Sequence, residues 1–191
     1  MTSRRYHHGD ARNALLGAAA ELLEKVGAAG LSLRQVAERA DLSRQAPYNH
    51  FASKEALLAE LARAGFERLA EALSAGDPKA KGALERAAEA YIRRAQEAPA
   101  LFRMMFSREL VNVSRFPAAA QAGARAFDKL REIVAALAPA ERVPELALAA
   151  WSLVHGYATL CIEVALEPDS QRPARARLFA RIIRGAAINQ S

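Results

Sequence analysis

Apolar residues recur three and four positions apart along most of the chain, so that successive stretches each present one apolar face at helical spacing. In residues 10–26, for example, Leu15, Ala19 and Leu23 share a face. Abundant Ala, Leu, Arg and Glu, with few β-branched runs, favour the same secondary structure. We therefore predict an all-α protein of about nine helices. They cover residues 10–26, 33–40, 44–50, 54–73, 78–97, 99–106, 117–137, 144–166 and 173–187.

One stretch near the N-terminus carries strong signals for where helices begin and end. Ser32 is a good N-cap, and Gln35 completes a capping box for the first of two short helices. Asp41-Leu42-Ser43 breaks the apolar pattern; Asp tolerates turn conformations, and Ser43 is placed to cap a second helix from Arg44. Ser53 is placed to cap a third, longer helix. Two short helices joined by a three-residue turn describe a helix-turn-helix.

In a helix-turn-helix the second helix enters the DNA major groove and presents its N-terminal side chains to base edges. Arg44 can bind guanine with two hydrogen bonds, and Gln45 or Asn49 can bind adenine in the same way. Ala46 is small enough to let the helix sit close to the bases. An ordinary helical hairpin in an all-α protein is the alternative interpretation. The candidate DNA contacts, to bases or to phosphates, are Ser32, Arg44, Gln45, Ala46, Tyr48, Asn49, His50 and Lys54.

Residues 1–9 are predicted to form a flexible basic arm. Arg4 and Arg5 could reach phosphates or a minor groove, as the basic arms of other DNA-binding folds do. A solvated tail explains the same residues. The formal net charge of +6 suits a polyanionic partner but does not by itself identify one.

The residues of the helix-turn-helix also resemble a known family. The run Tyr48-x-His50-Phe51-x-Ser53-Lys54-Glu55-x-Leu57-Leu58, after Val36-Ala37 and Leu42-Ser43, resembles the DNA-binding domain of TetR/AcrR bacterial transcriptional regulators over about residues 12–61. The resemblance implies a three-helix DNA-binding domain, dimeric binding to a pseudo-palindromic operator, and release when a small molecule occupies the C-terminal domain. Two residues depart from the pattern: Asp41 replaces the usual Gly, and Pro47 replaces an aliphatic residue. Because proline removes a donor, the second helix is expected to be short or bent.

The C-terminal half contains candidate ligand-binding residues. A Met and aromatic cluster after Pro99 can fill a core or line a pocket for varied apolar ligands. Trp151-x-x-x-His155-Gly156 resembles the motif of one C-terminal subgroup of TetR-like regulators, with His155 as a polar anchor for a ligand. A satisfied buried histidine beside a core tryptophan is the alternative. The candidate pocket residues are Tyr91, Phe102, Met105, Phe106, Trp151 and His155.

The helix predicted over residues 144–166 is apolar on most sides and must therefore be covered on most sides. One side is expected to face the interior and another a second subunit. The family resemblance implies that the last two helices of each subunit form a four-helix dimer interface. The arginines of the last helix are expected to be solvated or to pair with acids across the dimer. The candidate interface residues are Leu153, Tyr157, Leu160, Val164, Leu178 and Ile182.

Other classes of protein are disfavoured. There is no nucleophile elbow, no phosphate-binding glycine loop and no Cys or His cluster with metal-ligand spacing, so we predict no enzyme activity, cofactor or metal. A single cysteine, Cys161, excludes an intrachain disulfide and agrees with a reducing cytosol. No signal peptide is visible, and the uncharged run 147–162 is too short to span a bilayer. We expect a cytoplasmic protein without a membrane partner.

The helix-turn-helix pattern and what the family resemblance implies together predict a homodimeric transcriptional repressor that binds double-stranded operator DNA and responds to a small, largely apolar effector. Its predicted parts are the arm (residues 1–9), a helix-turn-helix domain (10–56) and a ligand-binding and dimerisation domain (57–191). An architectural protein that binds DNA by charge alone is one alternative. A small-molecule-binding helical protein without operator specificity is another.

Overall fold

The computed structural model describes residues 8–188, with side chains from residue 11 onward. The described chain is all helical, which confirms the predicted fold class, and contains no β-strand. Four short 3₁₀ helices join the α-helices: Ala46–Asn49, Val113–Arg115, Ala140–Arg142 and Asp169–Gln171. The α-helices are α1 (His8–Gly30), α2 (Leu33–Arg39), α3 (Lys54–Leu73), α4 (Ala83–Glu97), α5 (Pro99–Phe106), α6 (Pro117–Ala135), α7 (Val143–Val164) and α8 (Arg172–Ile188).

The chain divides into two compact units. Unit 1 consists of the chain up to Gly65 together with Ala100–Ala120, and unit 2 consists of Phe66–Pro99 and the chain from Gln121 onward. The long helix α3 therefore contributes residues to both units, and α5 contributes mainly to unit 1. The domain boundary predicted after residue 56 stays a prediction.

Unit 1 is built around the apolar faces of α1, α2 and the first half of α3. Leu15, Leu23, Val36 and Leu57 are fully buried there, which agrees with the helical spacing of apolar residues in the sequence. The first helix was predicted to end at residue 26. Gly27 does interrupt α1 there, with a φ of +70°, but the helix resumes after this kink and ends at Gly30.

Helix α5 is attached to unit 1 through its N-terminus. The backbone amides of Ala100 and Leu101 donate to the two carboxylate oxygens of Glu24 in α1, over 3.0 and 2.9 Å. On the other side, a Cβ built at Gly65 of α3 would lie 2.5 Å from the sulfur of Met105. A side chain at this position would therefore force the Met105 side chain to shift from its place between α3 and α5.

The cap on α5 leads to a prediction about stability. Replacing Glu24 with alanine leaves two amides at a helix N-terminus without their charged acceptor, and we expect the variant to lose about 1 kcal/mol of unfolding free energy. Glu24→Gln keeps one acceptor oxygen and should lose about half as much. Urea unfolding measures both. Lys25→Ala, a neighbouring exposed substitution on α1, is the control, and equal losses in all three variants would contradict a role for the cap.

Unit 2 is held together by α4, α7 and α8, which pack against one another. The predicted start of α4 at Pro78 is wrong, because α4 begins five residues later, after Gly82 in a left-handed conformation (φ +81°). Asp77, the residue before the predicted start, accepts the Lys79 amide over 2.8 Å and forms a separate turn.

Candidate functional site

The first helix of the helix-turn-helix begins where the sequence predicts. The Gln35 amide donates to Ser32 Oγ over 3.3 Å, and the Ser32 amide donates to Gln35 Oε1 over 2.9 Å, so the capping box is confirmed. After α2, Asp41 takes a left-handed conformation with a φ of 54°. The Leu42 amide then donates to the Ala37 carbonyl over 2.9 Å. Asp41 thus supplies the turn that the family pattern assigns to glycine, at some conformational cost.

The segment after the turn, residues 44–50, is called the recognition segment below. Its predicted α-helix from Arg44 is wrong: the structure has only the 3₁₀ helix Ala46–Asn49. Pro47 has no amide to donate and its ring is fully buried, so it fixes the segment in a short helical turn, as its chemistry predicted. Ser43 contributes its backbone carbonyl, which accepts the Ala46 amide over 2.9 Å, rather than the predicted side-chain cap.

The recognition segment has one buried face and one solvent face. Pro47 and the following Phe51 are buried, and they anchor the segment on unit 1. Ala46 and His50 are half-buried. The four side chains on the solvent face are those of Arg44, Gln45, Tyr48 and Asn49, with Tyr48 56% exposed. The polar groups expected to contact bases are therefore accessible despite the shortened helix.

Residues behind the recognition segment hold it in place. The Lys54 ammonium donates to the Ala29 carbonyl over 2.9 Å, and Ser53 caps α3 by accepting the Ala56 amide over 3.1 Å. The Arg12 guanidinium forms an ion pair with Glu60 and lies 5.4 Å from the centre of the Phe51 ring. Partial burial raises the pKa of Glu60, but hydrogen bonds and charge from Arg12 and Arg63 outweigh it and leave that pKa below the usual value.

A residue that the sequence did not single out lies beside the recognition segment. Arg34, exposed in the first turn of α2, lines a surface cleft of about 350 Å³ together with Glu38, Asp41, Leu42 and Arg44. The sequence could have indicated Arg34 as a DNA contact, because it lies only two residues after the Ser32 cap, in the first turn of the same helix.

The predicted arm contacts Arg4 and Arg5 lie outside the described residues.

The predicted pocket residues fall into two groups. In unit 1, the rings of Phe102 and Phe106 lie 5.1 Å apart, and Met105 is buried on the same helix. Tyr91, Trp151 and His155 belong to unit 2.

In unit 2, Tyr91, Trp151 and His155 are in direct contact. The Tyr91 hydroxyl lies 2.8 Å from His155 Nδ1, and the Tyr91 and Trp151 rings are 5.4 Å apart, edge to face. The cavity lined by Tyr91 and Trp151 has a volume of about 20 Å³ and apolar walls. That volume holds about one water molecule, far below the several hundred Å³ of typical ligand pockets.

The Tyr91–His155 pair makes stability depend on pH. Desolvation lowers the pKa of His155, and burial raises the pKa of Tyr91. Since the unfolded chain takes up a proton at a higher pH than folded His155 does, the free energy of unfolding should fall as pH drops below about 6.5. Urea unfolding between pH 7.5 and 5 measures this. His155→Asn should weaken the dependence, whereas Tyr91→Phe, which keeps the histidine half-buried, should retain it. Equal slopes in the wild-type protein and His155→Asn would contradict the assignment.

The predicted interface residues differ in exposure. Leu160, Val164 and Ile182 are 47, 62 and 46% exposed, while Leu153 and Leu178 are half-buried.

Tyr157, the sixth of these residues, is buried within unit 2. Its hydroxyl donates to Glu167 over 2.9 Å, and its ring lies 5.5 Å from Phe179. The predicted interface residues of α7 thus do not all face the same way: Tyr157 lies in the core, whereas Leu160 and Val164 are exposed to solvent.

The exposed face of α7 is wider than predicted. Leu148 is 60% exposed, and a Cβ built at Gly156 meets no atom within 4 Å. Apolar side chains with a small residue between them allow a second helix to approach closely.

Three arginines of α8 pair within the chain, contrary to the expectation of solvation or pairing across a dimer. Arg172 pairs with Asp169 over 3.3 Å. Arg175 pairs with Glu167, and Arg184 pairs with Glu85 of α4. In the last pair the hydrogen bond from Arg184 holds the pKa of Glu85 below its usual value. These ion pairs fix α8 on unit 2 and leave fewer of its cations for a partner.

Helix α7 is hydrophobic enough to raise the question of a membrane span. The helical stretch Ala140–Val164 is long and apolar enough to cross a bilayer. The sequence prediction counted only the uncharged run 147–162 and therefore underestimated the length of this stretch. Core helices of globular proteins meet the same criterion, and a single such helix is weak evidence for a membrane span.

Comparison with known proteins shows the family. Residues 15–61 match the bacterial regulatory proteins of the tetR family, and residues 84–186 match the tetracyclin repressor-like C-terminal domain. The match does not address the W-x-x-x-H-G subgroup, which stays a prediction. No significant match was found among curated proteins.

Solved structures resemble the chain over nearly its whole length. A protein of unknown function from Rhodococcus sp. RHA1 is 32% identical, with a TM-score of 0.76 over 94% of this chain and 98% of that one. A TetR-family transcriptional regulator from Streptomyces coelicolor is 26% identical, with a TM-score of 0.66 over 93% and 99%. The TetR-family regulator PfmR from Thermus thermophilus, at 24% identity, has the same fold, with a TM-score of 0.63 over 92% and 99%.

The helix-turn-helix, the all-helical C-terminal unit and these matches lead to one conclusion. The chain belongs to the TetR family of bacterial regulatory proteins and is a DNA-binding transcriptional regulator, not an enzyme.

Proposed function

We propose that the protein represses transcription as a homodimer that binds a pseudo-palindromic operator and releases it when a small, largely apolar effector binds. The observation that carries the proposal is the recognition segment, which presents Arg44, Gln45, Tyr48 and Asn49 to solvent while Pro47 anchors it. A segment that is rigid on one side and polar on the other suits contact with base edges.

Each side chain of the proposed DNA interface has a separate role. Arg44 binds guanine, and Gln45 and Asn49 bind adenine, while Ala46 permits close approach. The remaining contacts are to phosphates and fix the register of the protein on the duplex. They are made by Ser32, Tyr48, His50 and Lys54, by Arg34 beside them, and by Arg4 and Arg5 of the arm.

Lys54 has two functions in this proposal. One of its three ammonium donors is used by the Ala29 carbonyl, which leaves two for a phosphate oxygen. Because the Lys54 side chain is already held in place, its contact with a phosphate would cost little side-chain conformational entropy.

The proposed dimer uses α7 and α8. Its exposed apolar side chains, called the α7–α8 face below, are those of Leu148, Leu160 and Val164 in α7 and Ile182 in α8. Burying this face against a second copy would remove it from water, and the half-buried Leu153 and Leu178 would lie at its edge. Tyr157 would act from behind the interface, by fixing the end of α7 through Glu167.

Two separate groups of residues are proposed to bind effector: Tyr91, Trp151 and His155 within unit 2, and Phe102, Met105 and Phe106 within unit 1. The cavity of about 20 Å³ beside Tyr91 is too small for an effector, so binding within unit 2 would require the side chains around Tyr91 to move apart. An effector releases DNA only if it binds the DNA-incompetent conformation more tightly than the competent one. The helix α3, which is continuous through both units, would transmit the change.

Selection of bound sequences from random double-stranded DNA tests the proposal. We expect enrichment of an inverted repeat whose half-sites are separated by about one helical turn, 10–10.5 base pairs, or a multiple of it. Enrichment of one isolated half-site would contradict binding as a dimer. No enrichment, with affinity set by salt alone, would favour an architectural DNA-binding protein.

The organisation proposed from the sequence is kept: an arm over residues 1–9, a DNA-binding domain over 10–56 and an effector and dimerisation domain over 57–191. A cytoplasmic location agrees with a regulator that must reach chromosomal DNA.

A further inference from the structure

Unit 2 contains a second cleft, much larger than the cavity beside Tyr91, to which the proposed function assigns no role. Its volume is about 630 Å³, within the range typical of small-molecule sites. The loop before α4 forms one side, and the first half of α4, the end of α6 and one face of α8 from Pro173 to Arg184 form the rest. We call it the basic cleft.

The side chains that line the basic cleft carry a net positive charge. Five are cationic and two are acidic, which gives a formal charge of +3. Among the described residues, Lys79, Lys81 and Arg177 form no salt bridge, and all three are exposed. The cations are Lys79, Lys81, Arg86, Arg177 and Arg184, and the acids are Glu85 and Glu89.

Part of this lining is held rigidly. Arg184 donates to both carboxylate oxygens of Glu85, so that pair is neutralised and joins α8 to α4. The Arg86 guanidinium donates to the Lys81 carbonyl over 3.0 Å and thereby fixes the loop. Lys79, Lys81 and Arg177 thus lie beside a fixed part of the lining, and Glu89 is the one acid of the lining outside the Arg184–Glu85 pair.

The basic cleft also has an apolar wall. Leu84 and Ile133 are almost fully buried beneath it, and Leu137, at 36% exposure, and Pro173 form its edge. A free inorganic anion or a DNA phosphate has no apolar part to cover this wall. A ligand with both an anionic group and a compact apolar body would satisfy both features.

We propose that the basic cleft binds a small organic anion with an apolar body, of the alkyl carboxylate type. The carboxylate would lie among Lys79, Lys81 and Arg177, and the alkyl part would lie on Leu84, Ile133 and Leu137. A monoanion matches the lining best, because Glu89 remains nearby to repel a more highly charged group.

Calorimetric titration of the full-length protein with octanoate tests the proposal, with octanol as a neutral probe and octyltrimethylammonium as a cationic one. Octanoate should bind at least about tenfold more tightly than either, and its affinity should fall as salt is raised from 50 to 500 mM. Equal affinity for octanoate and octanol, or no binding of octanoate, would overturn the proposal.

A matched pair of charge reversals locates the site. Arg177→Glu, in the cleft, should weaken octanoate binding about fivefold or more, and Lys81→Glu with Arg177→Glu about tenfold or more. Arg181 lies one turn further along α8, is also exposed and does not line the cleft, so octanoate affinity in Arg181→Glu should stay within about twofold of the wild type. Equal losses in Arg177→Glu and Arg181→Glu would mean that only overall charge matters, which overturns the site.

A steric variant gives an independent check. Ala80→Trp, in the exposed loop of the cleft, should block octanoate while leaving the thermal unfolding temperature unchanged. Unaltered octanoate binding in Ala80→Trp would contradict the site. None of these measurements involves operator DNA, so their failure would leave the proposed repressor function intact.

Discussion

Replacing both Arg44 and Gln45 with alanine is expected to lower affinity for the selected operator at least about 100-fold. A side chain that binds a base with two hydrogen bonds contributes about 1–3 kcal/mol of discrimination, and a dimer loses each contact twice. Because both side chains are exposed, the substitution should leave the fold unchanged. Fluorescence anisotropy with labelled duplexes at one fixed salt concentration measures the loss.

The specific and non-specific parts of DNA binding can be separated in the same experiment. Affinity for a scrambled duplex should fall much less than affinity for the operator, because phosphate contacts dominate non-specific binding. Arg108→Ala with Gln121→Ala is a matched control, in which an exposed Arg and an exposed Gln outside the helix-turn-helix are removed. An unchanged operator affinity in Arg44→Ala/Gln45→Ala would refute base recognition by these residues.

Features set by neighbouring residues could be predicted from the sequence. The Ser32–Gln35 capping box, the left-handed Asp41 and the Ser53 cap each involve groups within three or four residues of one another, and all are present. Such contacts depend on local geometry that every helix of this kind shares.

The recognition segment was predicted less well. Proline is acceptable in a first helical turn, so the sequence allowed either a continuing α-helix or a short one at Pro47. Burial of the Pro47 ring and the turn from Ser43 to Ala46 produced the short 3₁₀ form. The choice between the two helix types depends on tertiary packing, and the spacing of apolar residues along the chain carries no information about it.

Contacts between residues far apart in the sequence could not be predicted at all. Glu24 caps a helix 76 residues later, and Arg184 pairs with Glu85 across 99 residues. Nothing in local charge patterning distinguishes these residues from solvated ones. For the same reason the basic cleft, whose cations come from a loop, from α4 and from α8, is invisible in the sequence.

Replacing Leu160 with glutamate is expected to convert the protein to monomers and to weaken operator binding by a factor of about 10²–10⁴. A dimer that engages two half-sites gains this factor because the second contact is intramolecular once the first has formed. Leu160 is 47% exposed in the α7–α8 face, so a carboxylate is tolerated in the single subunit but would be buried without a partner in the dimer. Sedimentation equilibrium over a range of protein concentrations measures the subunit association.

A matched leucine separates this effect from a general effect of added charge. Leu110 is 37% exposed and lies in unit 1, outside the α7–α8 face, so Leu110→Glu should leave both association and operator affinity close to the wild type. If Leu160→Glu remains dimeric, the interface lies elsewhere on the subunit. If it is monomeric yet binds the full operator as tightly as the wild type, then simultaneous contact with two half-sites is not the source of affinity. Only loss of both association and affinity supports a dimer whose two recognition segments act together.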